Sequence, residues 1–409
     1  MSRTALVWPL LAAFVALFVA RTLIPASRPI TNGFLACYAG AQILREGHPG
    51  YTLYDRDAFL VRTAQIANGR DRDVYLSNPP LLAVACLPLA SLSPGAAREW
   101  WIWLSALCFA AAVGLITQQL AGALQPVTLL ALTALSTLAT PAREQFFLGQ
   151  TYALLLLLHV LGWRAFIRGQ NPIAGIALAL AMMLKVSGWP IALLMLARRR
   201  WSALGWFVLV SIALAALSLP WVGIDAWRTL FRVAIPEVMR WPAATLTVYQ
   251  DTTGFWQHWL RYDRQFNPDP IADFPRLAAL LTLATTLVAC LVLWVRRRPD
   301  YVSFAAAVAL TELISPAAEQ YHYTLLLLPL AVLWHEVWIS RSRRALLAAL
   351  VATVLIGWPI NFKAPHPAWA LIWSYPRLLG GWILFAALLV PQGTHTSLRK
   401  LSESRSSAS

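Results

Sequence analysis

Lys185 interrupts the apolar stretch Ala177 to Val186. An ammonium facing lipid there is unfavourable, whereas one facing a headgroup or a cavity is compensated, so the residue is a candidate contact for an anion; snorkelling or a structural ion pair is the alternative. Glu319 precedes Gln320, Tyr321, His322 and Tyr323 at the start of another apolar run. A carboxylate at such a boundary is costly unless hydrated or paired, which permits a raised pKa and a general-base role; an interfacial salt bridge or a helix-start charge is the plainer reading. Two further carboxylates qualify as bases. Asp251 lies in Tyr249-Gln250-Asp251-Thr252-Thr253-Gly254-Phe255, and Asp55 closes Leu53-Tyr54-Asp55. Asp55 also suits a loop-ordering or capping role, as does Asp57 two residues on.

The elements that must position these residues are membrane helices. Of the 409 residues, 59% are apolar and only 12% charged, with a mean hydropathy of +0.59, far from the roughly 25% charged of a soluble domain. Runs such as Thr151 to Val160, Trp201 to Leu219 and Leu277 to Val295 suit helices and lack the alternation of a barrel. An all-α, polytopic fold with about 11 to 13 spans is expected. The net charge of +15 is gathered in clusters such as Arg198 to Arg200 and Arg296 to Arg298; at span ends these mark cytoplasmic faces and favour anionic lipid, so nucleic acid is not an expected partner. Of the four cysteines, Cys86, Cys108 and Cys290 sit in apolar runs and Cys37 does not; none forms a CxxC, so neither a disulfide framework nor a metal site is indicated. No cofactor motif appears.

Two polar loops, near 21–75 and 225–276, are expected outside the membrane, after a retained signal-anchor span from Ala5 to Ala20. Phe34, Cys37, Tyr38, Ala41 and Leu44 recur at helical spacing, predicting a short amphipathic helix on the outer surface, and Asp57 to Ala67 a second. Residues 171–197 read as one long kinked helix or as two elements split at Ser187 to Pro190, lining a cavity. A single membrane domain over 1–391 and a disordered cytoplasmic tail over 392–409 complete the expected organisation.

Landmarks recur in an order that resembles the GT87, or DUF2029, family, the bacterial α-(1→2)-mannosyltransferase-like glycosyltransferases of the GT-C fold. They are Gly33-Phe34 through Tyr38, Gly47 and Leu53-Tyr54-Asp55; Asn78-Pro79-Pro80-Leu81 through Leu87-Pro88-Leu89; Gly149-Gln150; Gly175 through Leu184-Lys185; and Ser315-Pro316 through His322-Tyr323 to Leu328-Pro329-Leu330. The resemblance implies a polytopic protein of a bacterial cytoplasmic membrane. It would move a sugar, mannose first among candidates, from a polyprenyl phosphate to an external glycolipid or polysaccharide, with inversion and without a metal. Such a transfer needs a carboxylate to take the acceptor proton and donors or cations for the leaving phosphate. Lys185 and His322 are the implied phosphate ligands, and Gln150, Arg143 and Tyr323 candidates for the sugar or headgroup, against helix packing for Gln150 and an Arg143–Glu144 pair. Asp55, Asp251 and Glu319 compete for the base, because the family's usual acid before the aromatic is here Gly33, preceded by Asn32. Asp71 and Asp73, alternating with Arg70 and Arg72, read as a solvated loop, with acceptor binding as the other reading. The missing acid also motivates an alternative: a non-catalytic binder or transporter of lipid-linked sugar on the same scaffold.

Overall fold

The computed structural model describes residues 6–76, 78–121, 126–359 and 370–391; the expected tail over 392–409 lies outside them. Among the described residues the fold is all-α, with a single isolated β-bridge between Asp263 and Asn267. Among the described residues five helical runs are long and apolar enough to cross a membrane: Val7–Ser27, Pro94–Ala121, Trp201–Thr245, Pro275–Val295 and Gln320–Ser340. This is fewer than the about 11 to 13 spans expected from hydropathy. The difference arises because several apolar runs are broken into short helices, among them Pro126–Leu138, Tyr152–Ile167, Asn171–Lys185 and Pro376–Leu389. Short helices leave polar backbone at depth, which is tolerated where it is buried in protein. Tyr152–Ile167 meets this condition, being buried on most of its surface.

The peripheral helices are inverted relative to a soluble protein. Leu209, Ile212 and Leu217 on one, and Leu280, Val288 and Leu291 on another, are more than half exposed, an apolar surface too extensive to face water. The protein is a membrane protein.

Residues 171–197 form two helices, Asn171–Lys185 and Trp189–Ala197. The break falls at Val186 and Gly188, both at positive φ, so Lys185 ends the first helix. A second device fixes orientation. Arg198 donates to the Arg298 carbonyl and to Ser303 Oγ, Arg200 pairs with Asp300 at 2.8 Å, and Arg298 pairs with Glu336 at 2.8 Å in a buried bridge. The two basic clusters therefore share one end of the bundle. The helix Asp300–Ile314 starts there and delivers the loop from Ser315 onward to the other end, roughly 22 Å away at 1.5 Å per residue.

Two expectations for the polar N-terminal region are corrected. The helix Phe34–Arg45 does not lie on a surface: ten of its residues are buried. Cys37 and Cys86 form a disulfide across 49 positions, with Cα atoms 6.0 Å apart. The helix is held from several sides at once, because Tyr38 also donates to the Leu92 carbonyl at 2.7 Å. Apolar flanks around Cys86 conceal the pairing in the sequence, yet burial is the environment in which two cysteines can be packed together. On the chain-entropy view, closing a loop of this length is worth about 4 kcal/mol. The Cys37→Ser/Cys86→Ser protein is expected to lose thermal stability in nanodiscs, and dithiothreitol to shift the wild type but not the double variant. Equal melting of wild type and variant would show that the bridge does not tie this region.

Candidate active site

At the end of the bundle opposite the basic clusters lies a cavity of about 240 Å³. Its polar wall is built from three loops. The first is Thr31 to Gly33. Thr31 Oγ1 donates to the Phe147 and Leu148 carbonyls, and buried Arg98 donates to Ala26 O at 2.8 Å and Phe147 O at 2.7 Å, so the end of the first span and the helix Thr140–Leu148 are clamped together. Gly33 sits at φ 80, ψ −62, and the Phe34 amide donates to the Asn32 carbonyl at 3.0 Å. This is a γ-turn of the rare positive-φ kind, which side chains with a Cβ resist.

The turn leaves the Asn32 and Gly33 amides pointing outward, and the second loop fills them. Asp71 accepts from the Asn32 N–H at 2.8 Å, and Asp73 accepts from the Gly33 N–H and, at 2.8 Å, from the Val74 N–H. Thr63 holds the Asp73 backbone, its Oγ1 accepting from the Asp73 N–H at 3.0 Å. Asp73 thus lies against the Gly33 amide and lines the cavity. Burial raises the Asp73 pKa to about 6, against the opposing pull of the two amides and of Lys185.

Lys185 Nζ donates to Asn78 Oδ1 at 2.7 Å. Asn78 is fixed in turn: its carbonyl accepts from Tyr54 OH at 2.9 Å, and Tyr75 OH donates to Pro79 O at 2.8 Å while accepting from the Ala83 N–H. The Asn-Pro-Pro segment is a bracket for the ammonium.

The third loop, Ser315 to His322, brings Glu319. Burial, together with the Asp73 charge, raises its pKa to about 7, and Lys185 opposes the rise. His322 Nδ1 accepts from the Glu319 N–H at 3.0 Å, which leaves the imidazole proton on Nε2 as a donor. The His322 ring lies 4.4 Å from that of Tyr152. Asp73, Asn78, Gln150, Lys185, Glu319 and His322 all line the cavity. One side of it is apolar, with Leu230, Ile235, Val238 and Met239.

The other candidates lie elsewhere. Asp55 is exposed and caps the helix Arg56–Ile66 by accepting from the Ala58 N–H at 3.1 Å. Asp251 is fully buried and accepts from the Gly254 and Ala318 amides at 2.9 and 3.0 Å; burial raises its pKa to about 7. It ties its own helix start to the Glu319 loop, as does the Gln250 N–H donating to Ala318 O at 2.7 Å. Tyr323 donates to the Gln250 carbonyl and lines a separate apolar recess. Arg143 is exposed and is not among the residues lining the cavity. Asn78 and Tyr152 are cavity residues to which the sequence assigned no role, although Asn78 stands in the Asn-Pro-Pro landmark. No group of His, Cys, Asp or Glu suited to a metal occurs among the described residues.

The profile of glycosyltransferase family 87 matches residues 75–316, more than half of the chain. The chain belongs to glycosyltransferase family 87. Membership implies a glycosyltransferase-type enzyme that draws its sugar from a lipid-linked phosphate. The family 87 match encloses Asn78, Gln150 and Lys185 and stops just short of Asp73 and Glu319, so the two carboxylates rest on geometry. No curated protein and no solved structure matches this family 87 chain.

The γ-turn leaves no room for a side chain at position 33. A Cβ there would stand 2.6 Å from Gln150 Nε2 and 2.9 Å from the Leu148 carbonyl. Gly33→Asp is therefore expected to lower thermal stability and to give no activity when Asp73 is replaced by Asn. Recovery of transfer in that double variant would contradict the fit described.

Proposed function

We propose that the protein transfers a hexose, mannose first, from polyprenyl phosphate to a hydroxyl of an external glycolipid or polysaccharide, with inversion. The observation that carries this reading is the convergence of Asp73, Glu319 and Lys185 on one cavity that also has an apolar side. The apolar side suits the prenyl chain, and Lys185 with His322 Nε2 suits its phosphate. In the displacement the acceptor oxygen bonds to the anomeric carbon as the bond from that carbon to the phosphate oxygen breaks. The acceptor proton passes to Asp73, and polyprenyl phosphate leaves with the bonding pair.

Two nearby carboxylates cannot both ionise freely. The Gly33 and Val74 amides and Lys185 favour the ionised form of Asp73, whereas burial and the Asp73 charge favour the protonated form of Glu319; Asp73 is the base, and Glu319 is a hydrogen-bond donor to sugar or phosphate. Because the base must be ionised and Glu319 protonated, kcat/KM is expected to rise with pH through about 6 and to fall again as Glu319 loses its proton at higher pH. Asp251 and Asp55 are positioning residues in this reading, Arg143 and Tyr323 have no contact with the sugar, and Gln150 reaches it.

A site facing outside a bacterial cytoplasmic membrane is supported by the Cys37–Cys86 bridge, since disulfides persist in oxidising compartments, and by the basic clusters at the opposite end. The deciding experiment is a panel of labelled polyprenyl-phosphate sugars offered to nanodisc-held protein with envelope extract as acceptor, the product's anomeric configuration being read by NMR. A new glycoside of inverted configuration supports the proposal; a retained configuration, or movement of the lipid-linked sugar without a new linkage, refutes it and favours binding or transport.

A further inference from the structure

Beyond the cavity, on the far side of the short helix Ile235–Met239, lies an open cleft of about 670 Å³. That helix stands between the two compartments and turns different faces to them. Ile235, Val238 and Met239 line the cavity, whereas Arg232, Glu237 and Arg240 line the cleft, where Arg56 and Phe266 join them. Three guanidinium groups therefore face one carboxylate, and Glu237 is only loosely engaged, 3.8 Å from Arg56. Trp241 belongs to both walls, and the Arg56 guanidinium lies 4.9 Å from its ring centroid. The segment is well placed for a water-borne ligand: Gly223 leaves helical geometry at φ 67, ψ 168, ending the apolar part of its span before the arginines begin.

Resting on the reading of the cavity as the transfer site, we infer that this cleft is the acceptor subsite and that it selects acceptors carrying an anionic group, a phosphate or carboxylate, near the sugar to be extended. The donor's lipid tail has the apolar side of the cavity. An acceptor glycan has the cleft, where an aromatic face supports a sugar ring and planar guanidinium groups match an anion bidentately. Trp241, shared by the two compartments, lies where the acceptor hydroxyl passes toward Asp73. The same anion chemistry is presented by membrane headgroups, so the test must separate the two sources.

Binding is measured on the full-length protein in phosphatidylcholine nanodiscs with two soluble probes, octyl mannoside and octyl mannoside 6-phosphate, at two salt concentrations. Wild type is expected to bind the phosphorylated probe at least about 10-fold more tightly, with the preference shrinking in high salt. Arg232→Gln/Arg240→Gln should bring the two probes to within about 3-fold of each other. Glu237→Gln should tighten the phosphorylated probe alone, a gain that misfolding cannot produce. Equal binding of the two probes by wild type, or a preference that survives the double substitution, overturns the inference. So does a preference abolished by adding phosphatidylglycerol to the nanodiscs, which would assign the cleft to lipid headgroups. Because binding is read without turnover, a failure of the transfer reading shows separately, as wild-type binding without product.

Discussion

Replacing Asp73 by Asn is expected to lower sugar transfer by about 10²- to 10⁴-fold, the usual contribution of a positioned general base, while donor binding is retained. The substitution is nearly isosteric, but the Gly33 and Val74 amides donate to different carboxylate oxygens, so the Asn oxygen keeps one of the two bonds and the other amide loses its acceptor. Donor binding and thermal stability read on the same preparation therefore separate a loss of the γ-turn from a loss of the base. What disappears is the group able to accept a proton. The rise of kcat/KM through about pH 6 should vanish with it, because Asn does not titrate there. Glu319→Gln should reduce the rate less and leave that rise in place. If Asp73→Asn keeps both full activity and the wild-type pH profile, the base lies elsewhere, and Glu319 is the next carboxylate in the cavity.

Lys185→Met is expected to lower kcat by about 10²- to 10³-fold, comparable to removing a stabilising donor from a transition state, with a smaller effect on donor KM. The asymmetry follows from the reaction: the phosphate gains negative charge as the sugar departs, so a fixed cation stabilises the transition state more than the bound donor. Asn78, which accepts from Nζ at 2.7 Å, orients the ammonium, and Asn78→Ala should reduce kcat in the same direction but less. Equal kcat with a raised KM would show that Lys185 only holds the substrate. Unchanged values of both would place the phosphate elsewhere.

Lys185 was legible because a charge within an apolar run has few explanations. The loop around Glu319 and His322 was legible for a similar reason, lying at the mouth of a span. Asp73 was not, because alternation with Arg70 and Arg72 is what a solvated loop looks like; only the docking of that loop on the outward amides of Asn32 and Gly33 gives the carboxylate its place. Asp251 was ambiguous in the same way, since a backbone-saturated cap and a poised base have the same one-letter code. The pairing of Cys37 with Cys86 spans too many residues for spacing to suggest it. Hydropathy identified the membrane class, but it counts apolar residues without seeing where Val186 or Gly188 reverses the chain, and so it counted more spans than the fold has long helices.

The most direct measurement is a transfer assay in nanodiscs comparing wild type with Asp73→Asn, with donor binding read on the same preparations. Wild type is expected to give labelled glycoside and released polyprenyl phosphate, and Asp73→Asn donor binding with at most about one hundredth of the product. Wild-type protein that binds the lipid-linked sugar and forms no glycoside, or an Asp73→Asn protein that turns over as fast as wild type, would contradict this expectation.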